Sequence, residues 1–286
     1  MYRLVSLNKD NYNLVLNLYK INSKKNNFTK FINFKNENNF FNKIINHRHV
    51  FLIERNQTIS GYIVFEKEDD NLIEIIDVFF SRYDESFILK EFNMFKSKNF
   101  KLSCLLNNNN KEFINDNSFI ITNRTLLMKK LLLKNELERI DTQHALKIRD
   151  YHKKQDEFLR CFIQNDVFKK EGRIPLSVND ILSEYEESYY LNDLNFFLYL
   201  YDNPIGYGQV INFFGNYMIV NLGVLSDFRK KGYGEFLLDN IINISKSKGI
   251  TEIYIKVDYE NVIAQNLYYK KNFKHIGDFV NCFIID

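Results

Sequence analysis

The chain has no tryptophan, two prolines and three cysteines among its 286 residues. The cysteines, Cys104, Cys161 and Cys282, are odd in number and far apart, and none stands in a C-x-x-C spacing. They read as reduced thiols, which excludes a disulfide framework and points to the cytoplasm. No metal site is expected either, since His144 and His152 lie eight residues apart on an expected helix with no further ligand cluster. No apolar run approaches the roughly 20 residues that cross a bilayer. The opening Met1-Tyr2-Arg3-Leu4-Val5 runs into polar residues instead of the apolar core of a secretory signal. Charge of one sign is also scarce: the net charge of +3 gives no reason to expect nucleic acid or a membrane as partner. What is present, 45% hydrophobic and 26% charged residues, is the composition of a globular protein with room for two domains.

The pattern is α/β, with strands alternating with amphipathic helices around a mixed sheet, and it is stated twice. In the second half, Phe196–Tyr201 and Ile205–Phe213 read as strands joined at Asp202-Asn203-Pro204, followed by a strand over Tyr217–Leu225. A helix over Glu235–Lys248 ends at Gly249, a strand follows over Ile253–Val257, and Asn261–Lys271 reads as a helix. Phe273–Ile276 and Val280–Ile285 read as a closing strand pair. The first half repeats the order, with strands over Val50–Glu54, Ile59–Phe65, Leu72–Phe80 and Lys101–Leu106 and a helix over Phe87–Lys98. Phe119–Ile121 with Leu126–Lys130 is expected to close it. Ser60-Gly61-Tyr62 matches Ile205-Gly206-Tyr207 at an offset of 145, whereas the helices that follow match at 150. The first copy is thus about five residues shorter in the strand-to-helix loop, where Ser81-Arg82-Tyr83-Asp84-Glu85 has no glycine. It also offers only the polar stretch Asn107–Asn110 where the second copy has its Asn261 helix. Asn36–Asn42 and Asn107–Asn110 read as surface connections. Two domains are expected, 1–133 and 134–286, the first a degenerate copy that stabilises the second.

The segment Val224-Leu225-Ser226-Asp227-Phe228-Arg229-Lys230-Lys231-Gly232-Tyr233-Gly234 carries the chemistry. A strand ends, a basic loop with two glycines turns, and a helix begins. Glycines let a backbone approach a ligand, and the first amides of a helix attract anions. Arg229, Lys230 and Lys231 add positive charge suited to a diphosphate. The order is neither a Walker loop nor a dinucleotide fingerprint.

Arg229-x-x-Gly232-x-Gly234, with Val224 and Phe228 before it, resembles the acetyl-CoA loop of the GNAT superfamily of N-acetyltransferases. Asn261-x-x-Ala264-x-x-Leu267-Tyr268-x-Lys270-x-Asn272-Phe273 resembles that family's second signature, in the right order and spacing. The resemblance covers Phe196–Ile285 and extends to the first half in fold order only. It implies two tandem acyl-CoA N-acyltransferase folds and a cytoplasmic enzyme with acetyl-CoA as cosubstrate. The acetyl group would pass by direct attack to a primary amine of a small molecule or peptide. It further implies that the strands over Tyr217–Leu225 and Ile253–Val257 splay to admit the pantetheine arm, pairing it near Leu222 and Val224. Arg229, Lys230, Lys231, Gly232, Tyr233 and Gly234 would hold the diphosphate, Asn261 and Ala264 would contact the pantetheine region, and Tyr268 would be the general acid. Some family members carry a Glu base five residues before the Asn; here that position is Lys256, and no base is assigned. Water near Asn221, or Asp258 or Glu260, are the routes left for the proton. Ser226 and Asn272 replace the usual proline and glycine.

Two other classes compete. A non-catalytic relative could bind acetyl-CoA as a sensor or structural ligand; Tyr268 argues against it and the missing base for it. A transferase using aminoacyl-tRNA also pairs two such folds, but needs no CoA loop. The acidic residues of Ala145–Leu194, including Asp156, Glu157, Asp166 and Glu184, would suit a cationic amine if they formed a rim, although lysines are interspersed.

Overall fold

The computed structural model describes residues 2–25, 49–83, 86–133, 145–213 and 215–285. The chain forms two compact units: Met1–Leu126 with Gly277–Asp286, and Leu127–Ile276. Unit 1 comprises β1 (Tyr2–Ser6), α1 (Tyr12–Lys25), β2 (His49–Arg55), β3 (Thr58–Lys67), β4 (Leu72–Phe80), β5 (Asn99–Leu105), α2 (Asn108–Asp116) and the first half of β6 (Ile120–Leu131). Unit 2 takes the rest of β6, then β7 (Leu146–Asp150), α3 (Glu157–Val167), α4 (Val178–Glu184), β8 (Asn195–Leu200), β9 (Asn203–Phe213), β10 (Asn216–Val224), α5 (Tyr233–Ser247), β11 (Glu252–Asp258) and α6 (Val262–Lys270). The last strand, β12 (Lys274–Ile284), starts in unit 2 and belongs to unit 1 from Gly277 onward.

Within unit 1 the strand order is β1-β2-β3-β4-β5-β12-β6; within unit 2 it is β6-β11-β10-β9-β8-β7. In unit 1 the pairs β1–β2, β2–β3, β3–β4 and β5–β12 are antiparallel and β4–β5 is parallel; in unit 2 the pairs β7–β8, β8–β9 and β9–β10 are antiparallel and β10–β11 is parallel. The two copies exchange their closing strands. β12 pairs antiparallel with β5, Val280 opposite Cys104 and Ile284 opposite Phe100, and buries Val280, Cys282 and Ile284 in the core of unit 1. Residues 127–131 of β6 lie beside β11, where Lys129 pairs with Glu252 at 2.6 Å. The units therefore do not follow a single cut after residue 133, and the connection 134–144, with His144, lies outside the described residues, as does Asn36–Asn42.

Four local expectations are corrected. The closing segment of the second half is one long strand, β12, not a strand pair, and that of the first is likewise the single strand β6. Phe87–Lys98 is not a helix but two short 3-10 turns, Leu89–Glu91 and Asn93–Phe95. Its fully buried residues, Phe87, Leu89 and Phe95, lack helical spacing. The Asn117 amide engages the backbone there as well, accepting from Leu89 N at 2.7 Å and donating to Phe87 O at 2.7 Å. Asn107–Asn110 is no connection. Asn107 caps α2 through a reciprocal pair with Asn110, at 3.0 and 2.7 Å, and α2 buries Phe113 and Ile114. The first copy thus has a helix where the second has α6. Finally, His152 follows strand β7 and hydrogen-bonds Asp156 through its backbone N–H at 2.7 Å, instead of lying on a helix.

Candidate active site

Strands β10 and β11 are parallel, but they pair only at Met218–Tyr254 and Ile219–Ile255, although β10 runs on to Val224 and β11 to Asp258. Beyond Ile219 the ladder stops and the strands part. A bulge contributes: between Val220 and Gly223, two residues of β10, Asn221 and Leu222, face one residue of β9. Asn221 has φ +55°, a left-handed conformation that Asn tolerates. A bulge of this kind turns backbone groups away from the ladder. The half-buried Leu222 and the buried Val224 lie on this parted stretch.

At the end of β10, Ser226–Phe228 forms a 3-10 turn, and Lys230 (φ +60°) and Gly232 (φ +82°) reverse the chain into α5. Gly232 is the N-cap and brings no side-chain acceptor, so the first amides of α5 are left for an external one. A Cβ added at Gly234 would meet nothing nearer than Val224 Cγ2, at 3.9 Å, and its φ is not left-handed. The fold itself has no need of glycine there. A ligand lying against the backbone would need it, and this observation fits the loop to a diphosphate. Lys230 and Lys231 are exposed at its rim, and Lys231 Nζ donates to Asp227 O at 3.2 Å.

Arg229 is anchored to the protein through its side chain. Its guanidinium donates to Val224 O at 3.1 Å and to Val167 O at 3.0 Å, so it holds the loop to β10 and α3. Asp166, at the end of α3, accepts from Ser226 N at 2.7 Å and from Ser226 Oγ at 3.1 Å. Gly223 seats the same helix end, since a Cβ there would lie 2.1 Å from Val167 Cγ1. Helix α3 is thereby fastened to the glycine loop by three hydrogen bonds that no sequence motif displays.

Asn261 caps α6, its Oδ1 accepting from Ala264 N at 3.1 Å, so only its amide NH2 can serve a ligand. Gln265 Nε2 secures the same end, donating to Asp258 O at 3.0 Å and Tyr259 O at 2.7 Å. Asp258 Oδ1 itself accepts from Glu260 N at 2.9 Å, closing a tight turn. In the last turn of α6, Tyr268 is buried, its ring 5.9 Å from that of Phe273. Burial pushes the Tyr268 hydroxyl well above the ordinary phenol range. It is a neutral hydrogen-bond donor at every physiological pH.

Four of the acidic residues of 145–194 are engaged within the protein. Asp156 pairs with Arg149 at 2.8 Å, and Glu157 accepts from Tyr185 Oη and Lys154 N, each at 2.5 Å. Asp166 is engaged by Ser226, and Glu184 takes Arg160 on one oxygen and Gln209 Nε2, at 2.8 Å, on the other. Gln209 Oε1 in turn accepts from Asn221 Nδ2 at 3.3 Å, so the bulge is linked by hydrogen bonds to a carboxylate. Both oxygens of that carboxylate are already occupied, which suits holding a geometry better than removing a proton. Sequence reasoning missed this network because its members, α3, α4, β9 and β10, are far apart along the chain. Among the described residues no group of three His, Cys, Asp or Glu is placed to hold a metal ion, and no helix is long and apolar enough to cross a membrane.

Residues 155–273 match the model of the Acetyltransferase (GNAT) family. Among curated proteins none matches the sequence. Solved structures share the fold. An N-acetyltransferase of this kind from Sphaerobacter thermophilus is 13% identical at a TM-score of 0.64, the match covering 82% of this chain and 80% of that one. A tandem GNAT protein from the clavulanic acid biosynthesis pathway is 8% identical at a TM-score of 0.63, with 99% and 98% covered. A GNAT-family acetyltransferase from Colwellia psychrerythraea is 13% identical at a TM-score of 0.59, with 99% and 100% covered. The fold is thus a tandem of two such α/β units around mixed sheets. The likeness to the Acetyltransferase (GNAT) family thus falls on residues 155–273, the segment that holds the parted strands and the uncapped glycine loop, while the solved structures show the fold.

Proposed function

We propose that unit 2 transfers an acetyl group from acetyl-CoA to a primary amine in the cytoplasm, and that the amine belongs to a small molecule or a peptide. The observation that carries this is the glycine at 234, in a helix turn where the protein has no steric use for it. The amides of Tyr233 and Gly234, with Lys230, Lys231 and Gly232, hold the diphosphate. The parted edge of β10 at Leu222 and Val224 pairs the pantetheine arm, and the Asn261 amide, with Ala264 beside it, steadies the arm from α6. Arg229 keeps the loop in position through Nε and Nη2 and adds its positive charge beside the diphosphate.

Acetyl-CoA supplies the activated thioester carbon. The amine nitrogen forms the new C–N bond as the C–S bond breaks, and one proton leaves the nitrogen while one is gained at sulfur. Tyr268 donates a hydrogen bond to the departing thiolate. Its raised pKa keeps the phenol protonated, and the proton gained at sulfur comes from Tyr268, which water then reprotonates. No base is assigned: the amine proton leaves by water at the Asn221 bulge, or to Asp258 or Glu260 at the end of β11. The test is calorimetric titration with coenzyme A, followed by thiol release from acetyl-CoA across a panel of amines. Binding with amine-dependent release supports the assignment. Binding without release under any amine would leave a non-catalytic CoA-binding protein, and no binding would sink both.

A further inference from the structure

Beneath α3 and α4, unit 2 encloses a polar nest that the acetyl-transfer chemistry does not use. Arg160 is 1% exposed, its guanidinium 5.1 Å from the centroid of the Tyr207 ring. Its Nη2 pairs with Glu184, while Nε and Nη1 are buried with no partner. One turn further along α3, Gln164 is 3% exposed and its Nε2 is likewise unpartnered. The Tyr190 hydroxyl, on a ring 5.2 Å from that of Tyr185, is a third orphan.

The acceptors of the nest, by contrast, are engaged. Glu184 Oε1 takes Gln209 Nε2, and Gln209 Oε1 lies 2.8 Å from the Tyr207 hydroxyl and 3.3 Å from Asn221 Nδ2. Glu157 Oε1 takes the Tyr185 hydroxyl and Lys154 N. What the nest lacks is lone pairs. Burying donors without acceptors is costly, and the cost is greatest for a guanidinium. The imbalance is joined to the β10 bulge through the Asn221–Gln209–Glu184–Arg160 chain.

We propose that the acceptor amine carries a carboxylate, and that its oxygens are received by Arg160 and Gln164, with Tyr190 closing on them. The inference rests on the acetyl-transfer reading and names the substrate class of that same site. An amino acid or a similar amino acid analogue fits it. A polyamine, which brings further donors and no acceptor, does not. Because the orphaned atoms are shielded, the nest opens by a shift of the Tyr185–Tyr190 segment when the acceptor enters.

The experiment uses the full chain with acetyl-CoA and matched acceptors: amino acids, their amides, and the corresponding decarboxylated amines. The carboxylate member of a pair is expected to exceed both others by about tenfold or more in kcat/KM. Gln164→Leu and Arg160→Lys should shrink that preference by raising KM for the carboxylate member alone, with KM for acetyl-CoA unmoved. Equal rates for acid and amide, or faster reaction of the decarboxylated amine, would overturn the inference. Should no acceptor turn over, the same sets are titrated into the coenzyme A complex, and a carboxylate that binds no tighter than its amide overturns it equally. Should Arg160→Lys fail to fold, Gln164→Leu alone decides. Coenzyme A binding, measured in parallel, separates the two levels: without it the acetyl-transfer reading fails, and with it only the choice of acceptor is in question.

Discussion

Replacing Gly234 by alanine should move stability and cofactor affinity in opposite directions. The position lies in the first turn of α5, its φ is not left-handed, and the nearest atom to an added Cβ is Val224 Cγ2 at 3.9 Å, an ordinary contact. Alanine is favoured over glycine in a helix by up to about 1 kcal/mol, less in the first turn. For a chain of this size that corresponds to a melting temperature raised by about 1–4 °C. A methyl group on the ligand side would hold the diphosphate off the amides. Loss of one charge-assisted hydrogen bond costs roughly 1.5–3 kcal/mol, or about 10- to 150-fold in Kd. Differential scanning fluorimetry of the free protein and calorimetric titration with coenzyme A read the two effects separately. A variant that melts lower would show that the fold itself needs glycine at 234. A variant that binds coenzyme A as tightly as the parent would show that no phosphate approaches this backbone.

Tyr268→Phe should reduce amine-dependent thiol release by about tenfold or more while leaving coenzyme A affinity within about twofold; equal turnover would remove the hydroxyl from the mechanism. In unit 1, burial pushes the Asp77 carboxyl up to about 6, against hydrogen bonds from Tyr62 Oη at 2.6 Å and Asn22 Nδ2 at 3.2 Å. Because its folded pKa lies above the unfolded one, its favourable contribution is complete below about pH 4 and is lost as pH rises through about 6. Asp77→Asn should therefore match the parent near pH 4 and exceed it by up to about 3 kcal/mol at pH 8 in urea unfolding, and the opposite trend would refute the assignment. Deleting Gly277–Asp286 should expose Phe100 and Leu102 and make unit 1 sensitive to protease, read by mass spectrometry of limited digests; an unchanged digest would argue against the strand exchange.

Much of the architecture was legible because period and punctuation agreed. β8, β9, β10, α5, β11 and α6 fall within two residues of the segments read from alternation, Pro204, Gly232 and Gly249. What failed did so for physical reasons. The asparagines of 107–110 look like a connection by composition, yet a side chain that favours turns also caps helices, and Asn107 does so. Phe87–Lys98 has apolar content enough for a helix, but its burial comes at spacings a helix cannot satisfy. β1 and α1 passed unread, and α1 has only a weak apolar stripe around Val15 and Tyr19. At the site, the glycine loop and its place between β10 and α5 were visible as motif. The inward turn of Arg229, the hooking of Asp166 to Ser226 and the orphaned donors of Arg160 and Gln164 were not, since each depends on α3 meeting β10 some sixty residues later.

The exchange of closing strands sets the order in which the nascent chain can mature. The first unit cannot complete its sheet until residues 277–284 have emerged from the ribosome, by which time every strand of the second is already outside. Vectorial synthesis ordinarily lets the leading domain finish first. Here the leading half must wait with one edge of β5 unpaired, so the second unit is the one that matures first and its companion is sealed afterwards.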